Sequence, residues 1–350
     1  MTSQVKHYHN NGLINALERL DEDLDAGPTN FNKIEEGLFL ARKKRLGTIL
    51  CNPRNLTAAK DVHTLVSNAI SHILTVDSCP LPKTITDLKE IKNKFMQVTD
   101  IPQEDLLSYF STSYDFIKEG QEKGNVLVHC YYGVSRSASV VIAYLMKKHQ
   151  ISFDESFKRV KSCRRFASPN KGFEAQLKLY EVMNFTIDKT NLQYRMFRLR
   201  HAAVKVRKVK ILPQDCMDVI KPDPSLTSVK PDPLVYKCRK CRRIVASISN
   251  ILPHSPSEKP SWKNVKWSGD LSNVDQCSQI HFIEPLNWIE NVSHAEEGKI
   301  NCPKCKSKLG SFSWIMGCKC PCGAEVTPAF YLVPSKVEFS NFVQNVQITV

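Results

Sequence analysis

The run NVLVHCYYGVSRSASVVIAYLM, residues 125–146, joins an apolar strand to an apolar helix through a loop holding a cysteine, a glycine and an arginine. The strand NVLVHC carries Cys130 to the carboxyl edge of a sheet. The helix beginning in SRSASVV points its first backbone N–H groups back into the loop. Successive amides and the helix dipole form a nest for a tetrahedral anion such as phosphate. The same surroundings favour the thiolate of a cysteine placed there, and a thiolate can attack phosphorus. Arg136, six positions after Cys130, supplies a planar fork that clamps two oxygens of the anion, which a lysine cannot reproduce. Ser137 follows with a hydroxyl that can hydrogen-bond the sulfur and ease its departure, while Tyr131, Tyr132, Gly133, Val134 and Ser135 form the wall of the nest. His129 reads as a buried histidine that orients the loop from beneath.

Displacement on phosphorus also needs a proton for the leaving oxygen, hence a carboxylic acid facing the same pocket. QVTDIPQEDLL, residues 97–107, offers Asp100, Glu104 and Asp105. Asp100 directly follows the apolar run KFMQVT and reaches the same sheet edge as Cys130, so it is the chosen acid. Asp105 reads as the N-cap of a helix starting at Leu106. GLFLA, SHILTVD and KFMQVTD join NVLVHC as short buried strands. Leu106, Phe110, Tyr114 and Ile117 make one helical stripe; Phe153, Phe157 and Val160 make a second, and Phe173, Leu177 and Tyr180 a third. This is an α/β layered domain over residues 31–185, preceded by an acidic arm, residues 1–30.

The 350 residues carry 49 basic and 35 acidic side chains, a net charge of +14, and the excess is local. NLQYRMFRLRHAAVKVRKVK, residues 191–210, has seven Lys or Arg and no acid, and KCRKCRR, residues 237–243, has five more. Such runs are solvated linkers or polyanion-binding stripes, with RNA the natural polyanion. Four prolines from Pro222 to Pro233 deny helix and sheet, so residues 186–233 read as a basic and proline-rich linker.

Beyond it, residues 234–350 are rich in cysteine, tryptophan and β-branched residues, and eight of the thirteen cysteines lie between 238 and 322. The opening MTSQVKHYHNNG has no apolar stretch of the secretory type, so a reducing compartment is expected, where clustered cysteines hold metal or do chemistry. The longest apolar stretches fall short of a membrane span, so a soluble protein without membrane contact is expected. Cys238-Arg-Lys-Cys241 and Cys302-Pro-Lys-Cys305 are two C-x-x-C knuckles, which with Cys320-Pro-Cys322, His254 and Cys277 give eight ligands for two tetrahedral zinc ions. Pairing the two knuckles on one zinc leaves His254, Cys277, Cys320 and Cys322 for the other. Cys318 is the substitute for Cys320, and His281 or His294 for His254.

HCYYGVSRS resembles the signature of the cysteine-dependent protein phosphatases, His-Cys-x5-Arg-Ser/Thr, and EEGLFLA, TDIPQEDLLSYF and ASPNKGFEAQL resemble its dual-specificity branch. The resemblance implies Cys130 as nucleophile, Arg136 as phosphate clamp, Asp100 as general acid and then base, and Ser137 as helper. Tyr131 and Tyr132 are larger than the residues common at their positions, and YYGVS lacks the lysines expected of a phosphoinositide phosphatase. The segments VYKCRKCRR, HFIEPLNWIE and CPKCKSKLGSFSW, with CPCG and TPAF, are similar to the tail of the dual-specificity protein phosphatase 12 family. That resemblance implies a cysteine-phosphatase fold, a central sheet flanked by helices, plus a small β-rich zinc-binding domain, with His254 the ligating histidine. It also implies a monomer in cytoplasm and nucleus that acts on phosphoproteins and, through its tail, on a pre-ribosomal particle in assembly of the large ribosomal subunit. The rival expectation is an assembly factor that docks through its zinc domain and basic linker, with catalysis secondary.

Overall fold

The computed structural model describes residues 31–42, 59–60, 62–226, 232–254 and 277–341. The acidic arm expected at 1–30 lies outside them. The chain forms two compact units, Met1–Ile187 and Asp188–Val350.

The first unit is built on a sheet of strands β1 (Phe31–Glu35), β2 (Leu38–Arg42), β3 (Ile70–Asp77), β4 (Lys92–Gln97) and β5 (Asn125–Cys130), in the order β1-β2-β5-β3-β4. Strands β2, β5, β3 and β4 are parallel, and β1 runs antiparallel at the edge. The central strands are buried at nearly every position because both faces are covered: seven of the eight residues of β3 are buried, the polar His72, Thr75 and Asp77 among them. One cover includes Leu65, Leu81, Ile85 and Ile91, packed with Ile73 and Leu127 of the sheet. Helices Phe110–Lys123, Arg136–His149, Phe153–Cys163 and Lys171–Val182 form the other part of the unit. Arg136–His149 is buried from Arg136 through Met146. A helix apolar all round can sit only inside such a layer, and this explains the uninterrupted ASVVIAYLM. The stripe expected from Leu106 begins instead as a 3-10 turn at Leu107–Tyr109, and Asp105 does the capping: its carboxylate accepts from Ser108 N–H at 3.0 Å and from the Ser108 hydroxyl at 2.7 Å.

The second unit corrects the expected linker. Residues Leu192–Val209 form a helix whose Leu199, Ala202, Ala203 and Val206 lie in the same core as Phe282, Leu309, Phe312, Trp314 and Phe330. Its basic residues are largely answered by acids of the same unit: Arg195 with Glu284 at 3.1 Å, Arg198 with Asp218 at 2.7 Å, Lys210 with Glu296 at 3.0 Å, and Lys205 with Asp215. The run is therefore a packed helix with a paired outer face. Among the described residues, Pro222 and Pro224 follow the turn Gln214–Val219.

The rest is β-rich. Strands β6 (Leu234–Cys238), β7 (Ile244–Ser247) and β14 (Val337–Asn341) make a three-stranded sheet, ordered β14-β6-β7. Strands β8 (His281–Phe282), β9 (Glu297–Asn301), β10 (Lys308–Ser313) and β13 (Ala329–Leu332) make another, ordered β8-β13-β10-β9, and β11 (Cys318–Lys319) pairs with β12 (Glu325–Val326). Gly310 is required on β10, since a Cβ there would lie 1.8 Å from the Tyr331 carbonyl oxygen. No helix among the described residues is long and apolar enough to cross a membrane.

Candidate functional site

Strand β5 ends on Cys130, whose side chain is 1% exposed, and the loop that follows wraps back over it. The sulfur is surrounded by donors: Gly133 N–H lies 3.2 Å away and the Ser137 hydroxyl 3.1 Å away. Gly133 has φ +66°, where L side chains are strained, and a Cβ there would meet the Ala41 carbonyl oxygen at 2.6 Å. The glycine is what lets the loop turn this tightly against β2. Tyr131 and Tyr132 pack edge to face, 4.6 Å between ring centroids, with Tyr132 largely exposed at the rim. Val134 is tied down by Ser168 N–H, which donates to its carbonyl at 2.8 Å. His129 is fully buried, and its Nε2 lies 2.8 Å from the Thr75 hydroxyl of β3, so a side chain orients it.

Arg136 opens the helix and is 5% exposed. Its Nη1 donates to Asp77 Oδ1 at 2.7 Å and to the Val98 carbonyl at 3.2 Å. Its Nε is buried and makes no hydrogen bond among the described residues; the nearest carboxylate oxygen, Asp100 Oδ2, is 3.6 Å off. A buried guanidinium with an unused edge awaits an acceptor.

Asp100 stands beside this edge. Its Oδ1 accepts from the Ser135 hydroxyl at 2.8 Å and from Asn170 Nδ2 at 2.8 Å, leaving Oδ2 toward Arg136. Asn170 also caps the helix Lys171–Val182, accepting from Phe173 N–H at 3.0 Å, so one side chain both starts a helix and aims the acid. Gln176 of that helix pins the acid loop: its Oε1 accepts from Leu106 and Leu107 N–H at 2.8 Å each, and its Nε2 donates to the Glu104 carbonyl at 2.8 Å. Thus Cys130, Arg136, Ser137, Asp100 and Ser135 share one site.

Sequence reasoning missed Asp77, Arg164, Asn170 and Gln176. Arg164, 5% exposed, donates from Nε to the Gly133 carbonyl at 2.7 Å and from Nη2 to the Tyr132 carbonyl at 3.2 Å, bracing the loop from below. For Asn170 a signal existed: SPNKGF places an N-cap residue directly before an apolar helical stripe. Asp77 and Arg164 lie in no local pattern.

The second unit gathers two quartets, Cys238, Cys241, Cys302 and Cys305, and His254, Cys277, Cys320 and Cys322, with the ligand atoms of each within 4.8 Å of one another. Both C-x-x-C knuckles fold identically. The fifth residue, Arg242 (φ +63°) or Lys306 (φ +58°), is left-handed, and its N–H returns to the carbonyl of the first cysteine at 2.8 and 2.9 Å. Cys320-Pro-Cys322 is a version one residue shorter, closed by Gly323 N–H on the Cys320 carbonyl at 2.9 Å, with Gly323 at φ +94°. The sulfurs of Cys238 and Cys305 are 3.7 Å apart, those of Cys241 and Cys302 3.5 Å, and those of Cys277 and Cys320 3.7 Å. Four sulfurs at about 2.3 Å from a tetrahedral metal would be about 3.8 Å apart, so the donor sets fit such an ion. Hydrogen bonds from the Ser307 hydroxyl and backbone N–H bring the Cys305 thiol down to about 6. The substitutes stand elsewhere: Cys318 is in neither quartet, His281 packs on the Tyr236 ring at 4.9 Å, and His294 Nδ1 lies 2.8 Å from the Ser293 hydroxyl.

Residues 55–183 match the family described as dual specificity phosphatase, catalytic domain. The chain is 42% identical to dual specificity protein phosphatase MPK-4 of Drosophila melanogaster over 94% of its own length and 92% of that protein. It is 38% identical to dual specificity protein phosphatase 12 of Mus musculus, covering 77% of this chain and 80% of that one. The crystal structure of the Yvh1 phosphatase domain from Chaetomium thermophilum is 25% identical, with a TM-score of 0.39, over 45% of this chain and 99% of that chain. Since the similarity to the first two runs through both units and covers 92% of one relative and 80% of the other, this chain belongs to the dual specificity protein phosphatase 12 family.

Proposed function

We propose that this chain hydrolyses phosphotyrosine and phosphoserine or phosphothreonine in proteins through a phosphocysteine on Cys130. The observation that carries the mechanism is the buried Arg136 guanidinium, whose Nε has no hydrogen-bond partner among the described residues, beside a cysteine surrounded by donors. The thiolate attacks phosphorus, forming the S–P bond as the bond to the tyrosyl, seryl or threonyl oxygen breaks. Arg136 and the amides of Tyr131 to Ser135 hold the equatorial oxygens. Asp100, protonated on the oxygen not tied by Ser135 and Asn170, gives its proton to the leaving oxygen. Water then attacks phosphorus, the Asp100 carboxylate takes its proton, and the S–P bond breaks with the Ser137 hydroxyl hydrogen-bonded to the departing sulfur.

The two quartets would hold zinc as a structural ion, fixing the loops of the second unit. We propose that this zinc-held unit docks the protein, as a monomer in cytoplasm and nucleus, on a pre-ribosomal particle during large-subunit assembly. The likeness of the tail motifs to the family supports this reading. The paired charges of Leu192–Val209 move the expected contact from that helix to the cysteine-rich part.

Turnover of small aryl phosphates tests the chemistry. Cys130→Ser and Arg136→Ala are expected to abolish it, whereas Asp100→Asn should retain most activity on an acidic leaving group and lose it on a poor one. Equal rates of Asp100→Asn and wild type on both would remove Asp100 from the mechanism. Docking is tested by cosedimentation with ribosomal precursors. Cys130→Ser should remain bound, and a chain ending at Ile187 should be released. Retention of that truncated chain would end the docking reading.

A further inference from the structure

Asp77 is the last residue of β3, lies beside β5 in the sheet, and is 4% exposed. Its Oδ1 accepts from Arg136 Nη1 at 2.7 Å and from the neighbouring Ser78 N–H at 2.8 Å. The second proton of Nη1 goes to the Val98 carbonyl at 3.2 Å, at the end of the adjacent strand β4. The far nitrogen of the guanidinium is therefore fully engaged by two neighbouring strands, while Nε has no partner and Nη2 donates to no described residue. A planar fork fixed at one nitrogen has only one way to face. Its remaining edge, Nε with Nη2, lies on the side of the acid, with Nε 3.6 Å from Asp100 Oδ2.

We propose that Asp77 is a positioning residue of the phosphatase reaction: it orients Arg136 so that the Nε and Nη2 edge meets the phosphate. This rests on the phosphatase reading above. Asp77 touches neither phosphorus nor leaving group in this role and acts through Arg136 alone. A carboxylate is an odd choice near a phosphate dianion, since it also repels the substrate. The hydrogen bond and the charge thus act in opposite directions, and substitutions can separate them. Asp77→Asn keeps an oxygen that accepts from Nη1 and from Ser78 N–H while removing the charge. Asp77→Ala removes both and lets the guanidinium swing.

The test measures affinity for tungstate by calorimetry, and kcat and KM for an aryl phosphate, in the full-length chain. The variants are Asp77→Ala, Asp77→Asn, Arg136→Lys and the double variant Asp77→Ala with Arg136→Lys. Asp77→Ala should weaken tungstate binding about tenfold and lower kcat/KM by at least as much, because a misdirected clamp forfeits a charge-assisted bidentate contact. Asp77→Asn should bind tungstate as tightly as the wild type or more tightly. In the Arg136→Lys background the Asp77→Ala loss should fall to less than about twofold, since a lysine has no fork to orient. Wild-type affinity in Asp77→Ala, or a tenfold loss persisting beside Arg136→Lys, would overturn the proposal. A general folding defect would give the latter result. If Asp77→Ala fails to fold, Asp77→Asn decides alone: a tenfold loss of tungstate affinity with the chain folded refutes orientation through the hydrogen bond. Tungstate binding without turnover in the wild type would sink the phosphatase reading and leave the positioning role standing. Normal turnover with no effect of Asp77→Ala would do the reverse.

Discussion

Replacing Arg164 by alanine tests whether the loop around Cys130 is held in place from below. Arg164 is 5% exposed and its guanidinium donates to Gly133 O at 2.7 Å, Tyr132 O at 3.2 Å and Asn32 Oδ1 at 2.5 Å. Hydrogen bonds to a charged donor contribute about 1.5–3 kcal/mol each, and water entering the vacated space recovers part of that. The expected cost to the first unit is about 2–4 kcal/mol. The effect on catalysis has a separate origin. With the Tyr132 and Gly133 carbonyls both held by Arg164, the peptide units on either side of Gly133 are fixed; the Gly133 N–H, in the unit that carries the Tyr132 carbonyl, points at the sulfur, and the strain of φ +66° is tolerated. Released, the Tyr132 and Gly133 carbonyls are free to turn toward the phosphate oxygens and repel them. A loss of about 1.4–2.8 kcal/mol in transition-state binding is a fall of about 10–100-fold in kcat/KM. Arg164→Lys reaches one carbonyl and should fall between the two. The assay is steady-state hydrolysis of an aryl phosphate at a temperature where urea unfolding shows the variant still folded. A folded Arg164→Ala with kcat/KM within twofold of wild type would refute the bracing role.

Elemental analysis of the native protein should return two zinc ions per chain, and a strong chelator should unfold the second unit while aryl phosphate hydrolysis persists, because a structural zinc site holds on the order of 10 kcal/mol; a folded second unit after complete chelation would contradict this. Gly172→Ala places a Cβ 1.9 Å from the Pro102 carbonyl oxygen, which must push the acid loop from its seat, so kcat on a poor leaving group should drop more than on a good one, and an equal drop on both would speak against it. Burial raises the Glu35 carboxyl, but hydrogen bonds from Lys148, His149 and Gln121 outweigh it and leave the pKa below the ordinary value. A lowered carboxylate contributes stability that is full above its unfolded value, near 4.5, and is lost as pH falls through the folded one. Urea midpoints taken from pH 6 down to pH 3 should therefore fall less steeply in Glu35→Gln than in wild type, and parallel slopes would show that the Glu35 contacts do not contribute.

Legibility from the sequence followed the range of the interactions involved. The strand, loop and helix around Cys130 could be read because Cys130, Gly133, Arg136 and Ser137 act within eight residues. The central strands could be read from their short apolar runs, Ile73–Leu74 with Val76 in β3 and Val126–Leu127–Val128 in β5, which burial on both faces favours. Asp77 lies 59 positions from the arginine it holds, and Arg164 lies 31 from Gly133, so only the folded sheet and helix layer brings them together. The helix Leu192–Val209 was obscured for another reason: its charge drew attention from the spacing of Leu192, Met196, Leu199, Ala203 and Val206, which marks an apolar stripe. Those charges are paired with acids beyond the run, Asp215, Asp218, Glu284 and Glu296, which no local count of charge can reveal.

The cysteines show how one residue type is given different chemistry by what surrounds it. Cys216 has no exposed surface and lies in the apolar core of the second unit, where burial pushes its thiol up to about 11 and leaves it an ordinary hydrophobe. In the two quartets the sulfurs of Cys238 and Cys305, of Cys241 and Cys302, and of Cys277 and Cys320 lie 3.5–3.7 Å apart. As thiolates they would repel one another unless a cation sat between them, so each quartet is arranged to accept a metal ion. Cys130 differs from both. Its sulfur is as buried as that of Cys216, yet a backbone N–H and a hydroxyl point at it. Donors without a second sulfur stabilise negative charge but offer no shared ion. The role proposed for Cys130 asks of its sulfur what neither of the others could supply: to attack an electrophile brought to it by a fixed guanidinium and then leave again.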